Sequence, residues 1–262
     1  MKLISLTVEG LRSLRAQTWN PGDLNVVIGP NASGKSNLLR VFEALNAAAR
    51  GRLGAYIQRE GGMEPVVWDG RADQIRIEVK CTPLPPYTGE EHALTYELCL
   101  GRLGTSSAYR IESELLANFY KVETGEMPSP FKLLERDPRR AVVFSTDSKQ
   151  FEAPPESVTE EEALLSAAAG PFALNPFVSQ FQEQVASWTV HQEFQTHREA
   201  QVRSPQVTRS DTQVSPDGRN LISVLHSLYT GSREFRDEIN TAMKSAFSDD
   251  FEELIFPPAA DQ

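Results

Sequence analysis

Hydrophobic and polar residues alternate from the first positions of the chain. Ile4, Leu6 and Val8 fall on one side and Ser5, Thr7 and Glu9 on the other, which predicts a half-buried strand over residues 2–9. Residues 10–13 then turn, and residues 15–19 return as a second strand. Pro21-Gly22-Asp23 is a turn signal. After it comes a short unbroken apolar run, LNVVI over residues 24–28, of the kind that forms a buried parallel strand. From Lys35 the period changes. Leu38, Val41, Phe42 and Leu45 have the i, i+3, i+4, i+7 spacing of one helix face, and Arg50-Gly51 supplies the stop.

Residues 51–70 read as irregular. Alternation resumes with Ile75, Ile77 and Val79, and again with Leu94, Tyr96, Leu98 and Leu100. Residues 107–116, 119–123, 131–136 and 141–145 read as further strands, the last two joined by Asp137-Pro138-Arg139-Arg140 as a hairpin. These strands lie too close in sequence for crossover helices, so residues 74–152 are expected to form an antiparallel meander. Past Pro154-Pro155 the pattern turns helical. Thr159 and Glu162 fit a capping box before residues 163–169, with Glu160-Glu161-Glu162 as the first helical turn. Residues 176–187 read as a helix with Phe177, Phe181 and Val185 on one side, residues 188–194 as a strand, and residues 220–229 and 233–247 as two amphipathic helices.

Between the apolar run and the first helix lies GPNASGKS, residues 29–36, which fits G-x-x-x-x-G-K-[ST]. Strand, glycine loop and helix come in the order a phosphate-binding loop requires. Gly29 and Gly34 let the backbone approach a phosphate closely. Between them lie Pro30, which has no N–H, and Asn31, Ala32 and Ser33, whose N–H groups are expected to form an anion nest. Lys35 is expected to reach the β- and γ-phosphates of ATP, and the Ser36 hydroxyl to ligate Mg2+. No N-K-x-D guanine-reading pattern is present, which favours ATP over GTP.

Composition narrows the classes. The 262 residues suffice for a full core, and a net charge of −10 argues against gross electrostatic binding to nucleic acid or an anionic membrane. No apolar run approaches a membrane span. Cys81 and Cys99 both fall in expected strands and read as buried free thiols, which fits the cytoplasm. His92, His191, His197 and His226 form no zinc pattern, and no G-x-S-x-G elbow occurs. Arg198, Arg203, Arg209 and Arg219 make a loose basic stretch, a candidate contact for DNA phosphates or a solvated loop.

These residues resemble the RecF/SMC-like group of AAA family ATPases, whose heads are related to ABC transporter ATPases. The resemblance rests on Gly10-Leu11-Arg12-Ser13 after the first strand, on Asn37 in GKSNLL, and on Asp217-Gly218-Arg219-Asn220-Leu221 before a helix. It implies a P-loop NTPase with an ABC-type N-terminal lobe, in mixed α/β form. It also implies two ATPs held between two heads. By position, Gly29 to Asn37 would hold nucleotide, Arg12 and Ser13 would sit beside it, and Gln192 would join Ser36 at the magnesium. The chain departs from the group in lacking an apolar strand ending in Asp-Glu and an L-S-[GD]-G signature. Val142 to Asp147 is the nearest run, and Ser148 follows its acid. No catalytic residue is therefore identified.

The expectation is a single ATPase domain, incomplete at its C-terminal end, with a nucleotide-binding core over 1–73, the meander over 74–152 and a mainly helical part over 153–262. Its partner would be a second copy, as a homodimer, or a second polypeptide completing the head, with DNA as a further partner. Two functions follow: an ATPase head acting in DNA repair, maintenance or defence against foreign DNA, or an ATP-gated interaction module without its own hydrolysis. A small-molecule kinase is disfavoured, because such kinases continue with parallel βα units rather than a meander.

Overall fold

The computed structural model describes residues 1–89, 92–104, 107–119, 131–155, 157–191, 194, 197–204 and 211–256. The chain divides into two units, Met1–Trp188 and Thr189–Gln262.

The first unit is built on one eight-stranded antiparallel sheet: β1 (Leu3–Leu11), β2 (Leu14–Trp19), β3 (Gln74–Cys81), β4 (Ala93–Arg102), β5 (Tyr109–Phe119), β6 (Phe131–Asp137), β7 (Arg140–Phe144) and β8 (Phe151–Glu152). The spatial order is β2-β1-β3-β4-β5-β6-β7-β8: β2 and β3 flank β1, and from β4 onward each strand pairs antiparallel with the one before it. The alternation in sequence is what buries one face. Leu6, Val8, Ile75, Ile77, Val79, Tyr96 and Leu98 enter a core shared with helices α1 (Lys35–Ala49), α2 (Leu53–Arg59), α3 (Leu164–Ala167) and α4 (Pro176–Ala186). Each such aliphatic side chain contributes roughly 1.5–3 kcal/mol by leaving water.

Helix α1 presents Val41, Ala44, Leu45, Ala48 and Ala49 to this core, with Leu38 and Phe42 packed at its margin. Helix α4 begins at Asn175, whose Oδ1 accepts from the Phe177 N–H at 3.0 Å, with Pro176 in the first turn. It buries Val178, Phe181 and Val185. Its far end is clasped by α1: Asn46 Nδ2 donates to the carbonyls of Ala186 (2.8 Å) and Trp188 (2.9 Å), and Gln182 Nε2 donates to the Ala49 carbonyl at 2.6 Å.

Several expectations need correcting. The run over residues 24–28 is not a buried parallel strand. It joins no ladder, and Leu24, Val26 and Ile28 are 88%, 81% and 87% exposed. Apolarity sets a demand for burial, but burial in a parallel sheet needs neighbours running the same way, and every pairing in the described sheet is antiparallel. Residues 51–70 are not all irregular, since α2 lies within them. Strand β5 is continuous through Phe119, and residues 120–123 lie outside the described residues. Residues 188–191 and 194 form no strand. The residue before helix α3, Ala163, supplies no side-chain cap, and Thr159 and Glu162 join only through a backbone turn (3.4 Å).

Glu160-Glu161-Glu162 precede α3 rather than open it. Their carbonyls are acceptors: the Ile111 N–H donates to Glu160 and the Tyr109 hydroxyl to Glu161, each at 2.8 Å, and Arg136 donates to Glu162.

The second unit holds α5 (Leu221–Gly231) and α6 (Arg233–Phe247), joined where Tyr229 Oη donates to Asn240 Oδ1 at 3.1 Å. The segment Asp217-Gly218-Arg219-Asn220 is a self-bonded turn. Asp217 Oδ1 accepts from Ser215 Oγ (2.7 Å), and Asn220 Oδ1 accepts from the Ser215 N–H (2.7 Å). Gly218 has φ +70°, and a Cβ there would meet the Phe194 ring at 2.3 Å.

Candidate phosphate-binding site

The loop over residues 29–36 is solvent-facing and runs straight into α1. Pro30 turns back on itself through the Ser33 N–H to its carbonyl (3.3 Å), and Ala32 takes a left-handed φ of +65°. Gly34 is the residue before the first helical turn, at φ +97° and ψ 3°. A side chain would be strained there, and a Cβ would meet Ser13 Oγ at 2.6 Å.

The helix start is electrostatically open. No side chain caps the α1 N-terminus, and no acidic residue lies in its first turn. The N–H groups left over at a helix start carry partial positive charge and favour an anion. Lys35 Nζ stands at the rim of the loop and donates to the carbonyls of Gly29 (2.7 Å) and Pro30 (2.6 Å). The Ser36 hydroxyl sits on the same first turn. These residues fit a polyphosphate: a turn only glycine can make, an uncapped helix start and one ammonium at the mouth.

Ser13 and Asn37 are brought together here. Asn37 Nδ2 donates to Ser13 Oγ at 2.8 Å, which fastens the β1–β2 turn to the first turn of α1. Arg12 stands in the same turn with φ +48°, its N–H bonded to the Val66 carbonyl at 2.8 Å. Its guanidinium pairs with Glu60. Glu60 is the hub of an ion cluster that sequence reading missed: Arg40 reaches it at 2.6 Å and Arg59 at 3.5 Å, and Glu43 pairs with Arg40 at 3.4 Å. The Glu60 side chain is only 7% exposed. Beside the cluster, burial first, then Glu60 and Glu43, push the Tyr56 hydroxyl up to about 12.

Gln192, the second expected magnesium residue, lies outside the described residues. Among the described residues no group of three or more His, Cys, Asp or Glu side chains could hold a metal ion. Asp147 is remote from the loop. It follows β7, at the sheet end marked by Leu3, Cys81, Leu94 and Phe131, whereas Ser13 continues from the opposite end of β1. Cys81 and Cys99 are free and buried in β3 and β4. Among the described residues no helix is long and apolar enough to cross a membrane.

Comparison with known proteins adds three findings. Residues 24–173 match the family described as "AAA domain, putative AbiEii toxin, Type IV TA system". Curated proteins give no match. Among solved structures, a chain reported under "Structural biochemistry of ATP-driven dimerization and DNA stimulated activation of SMC ATPases" is similar at TM-score 0.33 and 15% identity, covering 47% of this chain and 73% of that one.

Proposed function

The chain belongs to this AAA-domain family of P-loop ATPases, and from that premise we propose that it binds Mg-ATP at residues 29–36 as an ATPase head completed by a second copy or a second polypeptide. The observation that carries the reading is the left-handed Gly34 feeding an uncapped fifteen-residue helix with Lys35 at the loop rim.

In this reading the Lys35 ammonium exchanges the carbonyls of Gly29 and Pro30 for phosphate oxygens. The N–H groups of the loop and of the first turn of α1 hold the remaining charge. Ser36 offers its oxygen to magnesium, and Ser13 with Asn37 fixes where the helix begins. ATP, when bound with magnesium, supplies the phosphoryl group for transfer to water. Hydrolysis also needs an acid to orient that water. Asp147 stands at the wrong end of the sheet, which supports an acid donated in trans. The exposed apolar run over residues 24–28, directly before the loop, supports the same partner. The alternative reading is an ATP-gated interaction module, in which bound ATP governs association with a partner and this chain carries out no hydrolysis of its own.

The family's description names a toxin–antitoxin system, which favours a defence role over repair or general maintenance. DNA is proposed as a further partner through Arg198, Arg203 and Arg219; Arg209 lies outside the described residues. The buried thiols of Cys81 and Cys99 favour the reducing cytoplasm.

The test is calorimetric titration of Mg-ATP into the protein and into Lys35→Ala, followed by phosphate-release assays over a protein dilution series with and without duplex DNA. Hydrogen bonds to charged groups contribute about 1.5–3 kcal/mol, so the variant is expected to bind roughly ten- to a hundredfold more weakly. Equal affinity in both proteins ends the phosphate-loop reading. Brisk, Lys35-dependent turnover that does not depend on protein concentration overturns completion by a partner.

A further inference from the structure

Arg12 holds a left-handed φ of +48° in the β1–β2 turn. A residue with a Cβ keeps that conformation only where its surroundings fix it, and such residues gather at working sites. Two contacts fix this one. The Arg12 N–H donates to the Val66 carbonyl at 2.8 Å, and the guanidinium pairs with Glu60. Arg12 Nε is buried without a hydrogen-bond partner, which leaves the placing of the guanidinium to that carboxylate.

Glu60 closes α2 and divides its two oxygens between two other elements. Oε2 accepts from Arg12 in the turn, and Oε1 accepts from Arg40 Nη1 on α1 at 2.6 Å. Arg40 lies about one helical turn beyond Ser36. Helix α2 grips that turn of α1 a second time, where Tyr56 Oη donates to the Arg40 carbonyl at 3.2 Å. The two elements that Glu60 joins are the two sides of the seam at the phosphate loop. Asn37 Nδ2 donates across it to Ser13 Oγ at 2.8 Å, and a Cβ on Gly34 would stand 2.6 Å from the same oxygen. The seam has little slack. A turn moved toward the loop takes the space that Gly34 needs, and a turn moved away breaks the Asn37 bond.

We propose that Glu60 is a positioning residue of the nucleotide site: through Arg12 and Arg40 it fixes the β1–β2 turn against the start of α1, and so sets the shape of the loop that receives the triphosphate. The inference rests on the reading of residues 29–36 as a Mg-ATP site. Glu60 acts through its arginines and not on the nucleotide, since its side chain is 7% exposed and its oxygens face Arg12, Arg40 and Arg59. The role needs a carboxylate. Two acceptor oxygens can hold two guanidiniums, whereas an amide offers one oxygen and turns an NH2 toward the other.

The test is calorimetric titration of Mg-ATP into the full chain, into Glu60→Gln and into Glu114→Gln, at a temperature where circular dichroism shows each protein fully folded. Under that condition a loss of stability alone leaves the affinity unchanged. Glu114 is a buried carboxylate on β5, three strands from β1, so its variant reports the loss of such a group elsewhere in the core. In metal sites, partners that orient the first ligands carry about 10–100-fold of the affinity, and the lower end is expected here. Glu60→Gln should bind Mg-ATP about tenfold more weakly than the parent, and Glu114→Gln as the parent does. Ser13→Ala removes the acceptor at the seam and should weaken binding by itself; adding Glu60→Gln to it should cost less than about twofold more. Should Glu60→Gln fail to fold, Arg40→Met, which releases one arm of the clamp, takes its place in both comparisons. Parent affinity in Glu60→Gln, an equal loss in Glu114→Gln, or the full tenfold loss added on top of Ser13→Ala overturns the proposal while the Mg-ATP site stands. A parent chain that binds no Mg-ATP overturns the site itself, and this proposal with it.

Discussion

Replacing Glu114 tests how the helical layer is fastened to the sheet. The residue is 1% exposed in the middle of β5, yet its carboxylate has three donors. Oε1 accepts from Tyr96 Oη at 2.9 Å and from the Leu165 N–H at 2.8 Å, and Oε2 accepts from the Leu164 N–H at 2.7 Å. A strand side chain thus caps the start of α3, which has no cap of its own. Glu114→Ala strands all three donors in the core. At about 1–3 kcal/mol each the loss is about 3–9 kcal/mol, against about 5–15 kcal/mol for a whole domain. The alanine variant is therefore expected to be close to unfolded.

Glu114→Gln is the measurable variant. The amide keeps one acceptor and turns an NH2 toward the donors on the other side, at a cost of about 1–3 kcal/mol. Burial pushes the Glu114 carboxyl above the ordinary carboxylate range, and the Leu165 and Leu164 N–H groups, the Tyr96 hydroxyl and Arg136 hold it back. With a raised folded-state value, the folded chain binds more protons than the unfolded chain between the ordinary value, about 4.3, and the raised one. This group's contribution to stability therefore falls as pH rises through that window and is level above it. The glutamine variant does not titrate there. Urea unfolding followed by circular dichroism across pH is the assay, with the deficit of Glu114→Gln expected to be widest at the acid end and to narrow as pH rises. A deficit that widens with pH, or a Glu114→Ala protein as stable as the parent, refutes this account.

Two further substitutions probe the site. Gly34→Ala places a Cβ 2.6 Å from Ser13 Oγ at a φ of +97°, so it is expected to abolish Mg-ATP binding. The loop is exposed, so the melting temperature should fall by no more than a few degrees; retained binding contradicts the loop geometry. Glu60→Gln leaves Arg12 and Arg40 facing a neutral amide in a mostly buried cluster. Because the two guanidiniums keep some solvent, about 1–3 kcal/mol of stability should go rather than the 3–5 kcal/mol of a fully buried pair. Urea midpoints check this, and an unchanged midpoint means that the cluster contributes nothing.

Elements that carry their own period were legible from sequence. Ile75, Ile77 and Val79, then Leu94, Tyr96, Leu98 and Leu100, alternate and are buried as read, and α1 spans the residues its periodicity marked. The turn at Gly34 and its run into α1 were legible because both are set by neighbouring residues. What escaped depends on partners distant in sequence. Glu114 looks like a solvent-facing residue until the bulge in β5 is known. Ser113 pairs with Cys99 but Ile111 with Leu100, so one extra residue turns Ile111, Glu114 and Leu116 to the same face. Its helix partners lie fifty residues further on. Helix α2 escaped because seven residues beside Gly51 and Gly61-Gly62 carry no readable period. Glu60 escaped because Arg12 and Arg40 reach it from two other segments, and only Arg59 is its neighbour in sequence.

The apolar stretch ahead of the phosphate loop also shapes the chain's tendency to aggregate. Uncharged, β-prone segments left in water recruit other strands. This one is bounded by gatekeepers: Asp23, held in an ion pair with Lys2 at 2.6 Å, on one side and Gly29-Pro30 on the other. They confine it to the five residues from Leu24 to Ile28, short of the roughly six or seven that a steric zipper takes. By that length the stretch is too short to seed a fibre by itself.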